Sequence, residues 1–159
     1  MPKLATDLVK WLVDMFDSRD AVARNLIVES LELAAERCED LTPLVYDRLF
    51  QVRPETRGLF RTEGSTLVKG SMLELSLDAI LDFAGERKAA FRLIFCEVQS
   101  HAAYGTSPEL FNVFFKVIAD VVRDLIGDAW TEDVAAAWRG LLDELDRYVK
   151  DAIEAANIA

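Results

Sequence analysis

Val98-Gln99-Ser100-His101-Ala102-Ala103-Tyr104-Gly105-Thr106-Ser107-Pro108-Glu109-Leu110-Phe111 joins two apolar-periodic segments of the chain. The segment before it, from about Ala89 to Ala103, predicts a helix ending at Gly105, a residue suited to the position just past a helix C-terminus. Pro108 opens the next helix, where Leu110, Phe111, Val113, Phe114, Val117, Ile118, Val121, Val122 and Leu125 recur at helical spacing until Gly127-Asp128. Further out the same period persists. Leu44, Val45, Tyr46, Leu49 and Phe50 mark a helix with Pro43 in its first turn and Pro54 beyond its end. Pro54, Gly58 and Gly64 then read as a short helical turn plus a loop. A long pattern follows from Ser65 or Thr66 to Phe83. Thr131 and Asp133 cap a last helix carrying Val134, Ala137, Trp138, Leu141, Leu142, Leu145 and Val149. At the other end, Leu4–Phe16 and Ala21–Cys38 predict two helices separated by a break at Ser18-Arg19-Asp20. No strand alternation, repeat or low-complexity tract competes with this pattern. The fold class is all-α.

Composition narrows the function. The chain has 159 residues, enough for one domain with a substantial core. Hydrophobic residues make up 52%, including nine phenylalanines and three tryptophans against seven glycines and four prolines. That balance suits long helices wrapped around an apolar ligand. A formal net charge of −10 disfavours binding to a nucleic-acid backbone, and no Lys/Arg stripe opposes it. Cys38 and Cys96 lie far apart without metal-type spacing and read as free thiols of a reducing compartment. Lys3, Asp7, Lys10 and Asp14 interrupt the first helix, which therefore resembles neither a signal peptide nor a strong membrane-surface helix. No segment is apolar enough to span a bilayer, and a cytoplasmic location is expected.

The chain carries one histidine, His101. A lone imidazole cannot build a multi-histidine zinc site or a histidine relay. It can supply the single axial bond that a haem iron takes from its protein. Read in isolation, His101 is equally a surface residue at a helix end, favoured there by the helix dipole.

The order of several motifs resembles the globins, specifically single-domain bacterial haemoglobins and the globin part of flavohaemoglobins. Val45-Tyr46-Asp47-Arg48-Leu49-Phe50 resembles the end of the second globin helix. Arg53-Pro54-Glu55-Thr56-Arg57-Gly58-Leu59-Phe60 looks like the corner where a phenylalanine stacks on haem. His101-Ala102-Ala103-Tyr104-Gly105 with Ser107-Pro108-Glu109 resembles the proximal histidine segment. Gly127-Asp128-Ala129-Trp130-Thr131-Glu132-Asp133-Val134 with Trp138 resembles the junction of the last two helices. The likeness covers about residues 21 to 150, so a globin domain over 21–159 with an N-terminal extension helix over 1–20 is expected.

Carried over residue by residue, the resemblance implies haem b (iron protoporphyrin IX) with His101 as the proximal iron ligand and Phe60 against the porphyrin. Tyr46 would stand on the distal side, able to donate a hydrogen bond to a bound gas. Lys69 occupies the position where a distal glutamine or histidine is usual, and Leu73 and Met72 would line the distal pocket. Lys69 either snorkels, its stem at the pocket mouth and its ammonium in solvent or on a propionate, or loses its proton and becomes a sixth ligand. Tyr104 and Phe111 are further candidate contacts to the cofactor. The tyrosine and glutamate that hold the proximal imidazole in the nitric-oxide-detoxifying members are matched here by Phe111 and Ile153. Glu97, one turn before His101, is a candidate local acceptor for its ring.

These residues lead to an expectation of reversible binding of oxygen or another diatomic gas, for storage or delivery, more readily than an enzyme. The alternatives are nitric-oxide dioxygenase chemistry fed by a separate reductase, and a gas or redox sensor, with or without haem, in which the N-terminal helix mediates a homodimer. No nucleic-acid or membrane partner is expected.

Overall fold

The computed structural model describes residues 2–60, 65–87, 90–103 and 105–155, with side chains from residue 20 onward except at 90 and 91. Six α-helices follow one another: α1 (Pro2–Arg37), α2 (Thr42–Val52), α3 (Ser65–Ala84), α4 (Ala90–Ala103), α5 (Glu109–Ile126) and α6 (Glu132–Ala155). Short 3₁₀ segments at Pro54–Phe60 and Gly127–Ala129 follow α2 and α5, and no strand occurs among the described residues.

The core is built on α5 and α6. In α6, Val134, Ala137, Trp138, Leu141, Leu145, Val149 and Ala152 are buried at steps of three, four or one, so one stripe faces inward. In α5, eight residues from Phe114 to Ile126 are buried, because α1, α2 and α6 all pack on it. α1 contributes Ile27, Ser30 and Ala34. Ser30 is a buried hydroxyl, and it is satisfied on both sides. Trp138 Nε1–H donates to Ser30 Oγ at 3.0 Å, and that hydroxyl donates to the Ile27 carbonyl at 2.7 Å. The indole also stacks on Trp130, with centroids 6.1 Å apart. Arg37 donates to the Leu125 carbonyl at 2.8 Å, and Arg48 pairs with Asp124, so α1 and α2 are both tied to the end of α5.

The helix ends follow the expected punctuation. Pro43 lies in the first turn of α2. Gly127 has φ 54°, and Thr131 Oγ1 accepts from Val134 N–H at 3.3 Å at the start of α6. One expectation needs correction. Ser18-Arg19-Asp20 does not break the chain, and α1 continues from Pro2 to Arg37, so the extra N-terminal helical segment and the following helix form one rod. None of the three residues removes a backbone donor as proline would. Their propensity deficits of up to about 0.7 kcal/mol each are too small to open a cooperative helix.

Candidate cofactor site

α4 ends in a backbone lock. Gly105 adopts φ 79°, its N–H donates to the Ala102 carbonyl at 3.0 Å, and Thr106 N–H donates to the His101 carbonyl at 2.9 Å. These are the two bonds of a Schellman closure, which needs a left-handed residue where glycine stands. The turn bearing His101 is therefore held at its carbonyl end. Its side chain is held as well: Nδ1 lies 2.8 Å from the Glu97 carbonyl oxygen. A carbonyl can only accept, so Nδ1 carries a proton and, in the neutral ring, Nε2 keeps its lone pair. On another side of the ring Phe111 makes an edge contact, centroids 5.0 Å apart and planes at 77°.

His101 lines a cavity of about 330 Å³ enclosed by the end of α2, the Pro54–Phe60 segment, α3, α4 and α5. Phe60, Met72 and Phe111 share that lining with Leu49, Ile94, Phe114 and Phe115. The wall is mainly apolar, interrupted by Thr56, Ser65, Ser76, Glu97 and Thr106, with volume at the lower end of ligand cavities, roughly 300–1,000 Å³. Leu59, Val68 and Leu75 also line it while 55%, 52% and 42% exposed, so apolar surface continues to the mouth. One neutral imidazole nitrogen in an aromatic and aliphatic cleft is the donor set that fits a flat apolar macrocycle with a single axial ligand.

Other candidates stand one layer back. Tyr46 is 2% exposed and is not part of the lining. Its ring packs edge-on against Phe60 at 5.2 Å and near Phe114 at 5.6 Å, and its hydroxyl donates to the Lys69 carbonyl at 3.1 Å. Burial pushes the phenol well above its ordinary range, so it remains a donor at every working pH. Lys69 lays its side chain over aromatic rings. Its ammonium lies 5.2 Å from the Phe50 centroid, 5.5 Å from Tyr46 and 5.7 Å from Phe60, inside a three-ring aromatic cage. Leu73 is buried in the core away from the cavity. Ile153 packs on that core, partly buried. Tyr104 lies outside the described residues.

The sequence reading overlooked Phe114, Phe115, Leu93 and Ile94 as lining residues. A signal existed for the first two. Phe111, Phe114 and Phe115 fall at i, i+3 and i+4, on the helix side that begins at the ring touching His101.

The globin family model matches residues 44–148. The chain belongs to the globin family. Among curated proteins this globin is similar to the flavohemoprotein of Bacillus subtilis (strain 168), 25% identical over 71% of the chain and 29% of the relative. It is also similar to the flavohemoprotein of Halalkalibacterium halodurans, 23% identical over 73% of the chain and 28% of the relative. The globin thus spans under a third of the length of these relatives. No solved structure matches. Its fold is an all-α globin-like bundle related to flavohemoprotein globin domains, and membership implies a capacity for haem. The leaning away from an enzyme is corrected by these relatives: their name pairs flavin with haem, an electron-transferring combination that a simple gas carrier does not need. Both cysteines are free thiols, and no helix among the described residues is long and apolar enough to cross a membrane.

Proposed function

We propose that this globin holds haem b through His101 and works as a nitric-oxide dioxygenase, combining nitric oxide, dioxygen and one electron into nitrate. The observation that carries the reading is the His101 ring: Nδ1–H spent on the Glu97 carbonyl, Nε2 left for an apolar cavity that the same residue lines. The flavohemoprotein likeness supports a redox role over carriage alone, and it supports a flavin reductase as electron donor. The free thiols agree with a reducing, cytoplasmic setting.

Haem supplies an iron position open to diatomic gas together with a one-electron couple. His101 would hold the group through Nε2, with its ring orientation set by the Nδ1–H anchored on the Glu97 carbonyl. Phe60, Phe111 and Phe114 give the cavity an apolar inner wall, which strengthens polar contacts made against it. Tyr46 packs behind Phe60, and a movement of its ring that brings the hydroxyl to the cavity would exchange the Lys69 carbonyl for a gas oxygen. Lys69, caged by Tyr46, Phe50 and Phe60, keeps those rings together rather than serving as a ligand.

The test is nitrate formation. Protein reconstituted with haemin, supplied with a flavin reductase and NADH and pulsed with nitric oxide in air, is expected to form nitrate stoichiometrically over many turnovers. His101→Ala is expected to lose the activity. Reversible oxygenation without catalytic nitrate formation would return the reading to gas carriage.

A further inference from the structure

We propose that the Glu97 carboxylate is a positioning residue for His101, an anionic acceptor that makes the imidazole a stronger donor to iron. The inference rests on His101 being the axial ligand. Glu97 and His101 are one turn apart on α4. Glu97 Oε2 lies 3.5 Å from the same Nδ1 whose proton is shared with the Glu97 backbone carbonyl at 2.8 Å. One residue thus gives the ring a neutral acceptor and, just beyond hydrogen-bond contact, a negative charge beside the same proton. Glu97 also lines the cavity, and among the described residues its carboxylate has no ion-pair partner except this imidazole. The other group against the ring, Phe111, has no acceptor to offer. Ile153, at the end of α6, offers none either. Glu97 is therefore the anionic group that can polarise the Nδ1–H bond.

The chemistry follows from general ligand behaviour. A carboxylate beside the outer nitrogen of a ligating histidine draws its proton away, raises the basicity of the inner nitrogen and fixes ring orientation. The more electron-rich imidazole favours ferric over ferrous iron and lends electron density to a bound gas. The side chain is 36% exposed, so solvent weakens this effect without abolishing it.

Glu97→Gln tests the carboxylate alone, because it removes the charge and leaves the backbone carbonyl that anchors Nδ1. Glu36→Gln, an exposed site on α1, controls for the loss of one negative charge. The readouts are the spectroelectrochemical midpoint and the iron–histidine stretch of the ferrous protein by resonance Raman, both on haem-reconstituted protein. Glu97→Gln is expected to shift the ferric/ferrous balance about tenfold toward ferrous, about 59 mV for one electron, and to lower the stretching frequency. Glu97→Asp, which keeps the charge but draws it back, should move both in the same direction by less. Glu36→Gln should move neither. A histidine-ligated wild type whose midpoint and stretch match those of Glu97→Gln would overturn the role of Glu97 alone. A wild type without a histidine-ligated spectrum would overturn the assignment of His101, and this role with it.

Discussion

Tyr46→Phe removes one oxygen from the second layer of the site and separates two roles that the hydroxyl can play. In the structure the phenol donates to the Lys69 carbonyl at 3.1 Å, longer than the usual O–H···O range of about 2.5–3.0 Å. A bond of that length between neutral groups contributes about 0.5–1 kcal/mol, the low end of the usual net value. The cofactor-free variant should lose that much in urea unfolding. Turning the hydroxyl onto a bound gas sacrifices the same bond, in a dry pocket where the new one is worth about 1–3 kcal/mol. The difference, about 0.5–2 kcal/mol, corresponds to a factor of roughly 2–30 in an equilibrium. Stopped-flow displacement of oxygen by carbon monoxide from the reconstituted protein should therefore show dissociation faster by that factor in Tyr46→Phe. The burial of the phenol, which keeps it protonated, makes the effect independent of pH between 6 and about 9. An unchanged oxygen off-rate with lowered stability would mean that the hydroxyl stays on Lys69 and takes no part in gas binding.

Three further outcomes test the framework that positions the site. Trp138→Phe deletes the donor to Ser30 and part of the stack on Trp130, and should cost about 2–3 kcal/mol in chemical unfolding through the lost bond and the cavity left behind. Gly105→Ala forces a Cβ into the left-handed region at φ 79° and should cost about 1–2 kcal/mol, with a measurable increase in haem loss because the closure of the His101 turn is strained. The Arg48 hydrogen bond holds the Asp124 carboxyl below its ordinary value, so its contribution to stability is present above pH 3.8 and fades as pH falls through the lower folded value. With the Asp124 side chain 47% exposed, screening limits that contribution to about 0.5 kcal/mol, and Arg48→Ala should raise the carboxyl titration seen by NMR toward 3.8.

What the sequence made legible follows physical lines. Gly105, Gly127, Pro43 and Thr131 each act within one turn of backbone, and the helix boundaries they imply are found in place. The period of α6 is equally local, since a single buried stripe needs no knowledge of its neighbours. Ser18-Arg19-Asp20 misled because polar residues mark a break only weakly when neither proline nor glycine is among them. At the site, Phe60, Met72, Phe111 and His101 meet at one cavity. Tyr46, Lys69 and Leu73 do not line it, because the crossing of α2 and α3 decides which side of each helix meets the cavity. The cage around Lys69 draws its rings from α2 and the Pro54–Phe60 segment, a meeting that no period along one helix encodes. Phe114 and Phe115 were legible only through their spacing from Phe111: α5 is buried around most of its circumference, so its apolar residues taken alone do not single out the cavity side.

The most direct test of the account is the absorption spectrum of the haemin-reconstituted protein in ferric, ferrous and carbonyl-bound forms, alongside His101→Gly with and without added imidazole. A histidine-ligated ferrous and carbonyl spectrum in the wild type, lost in His101→Gly and restored by free imidazole, is the predicted result. A spectrum identical in both proteins, or a wild type that takes up no haem, would contradict it.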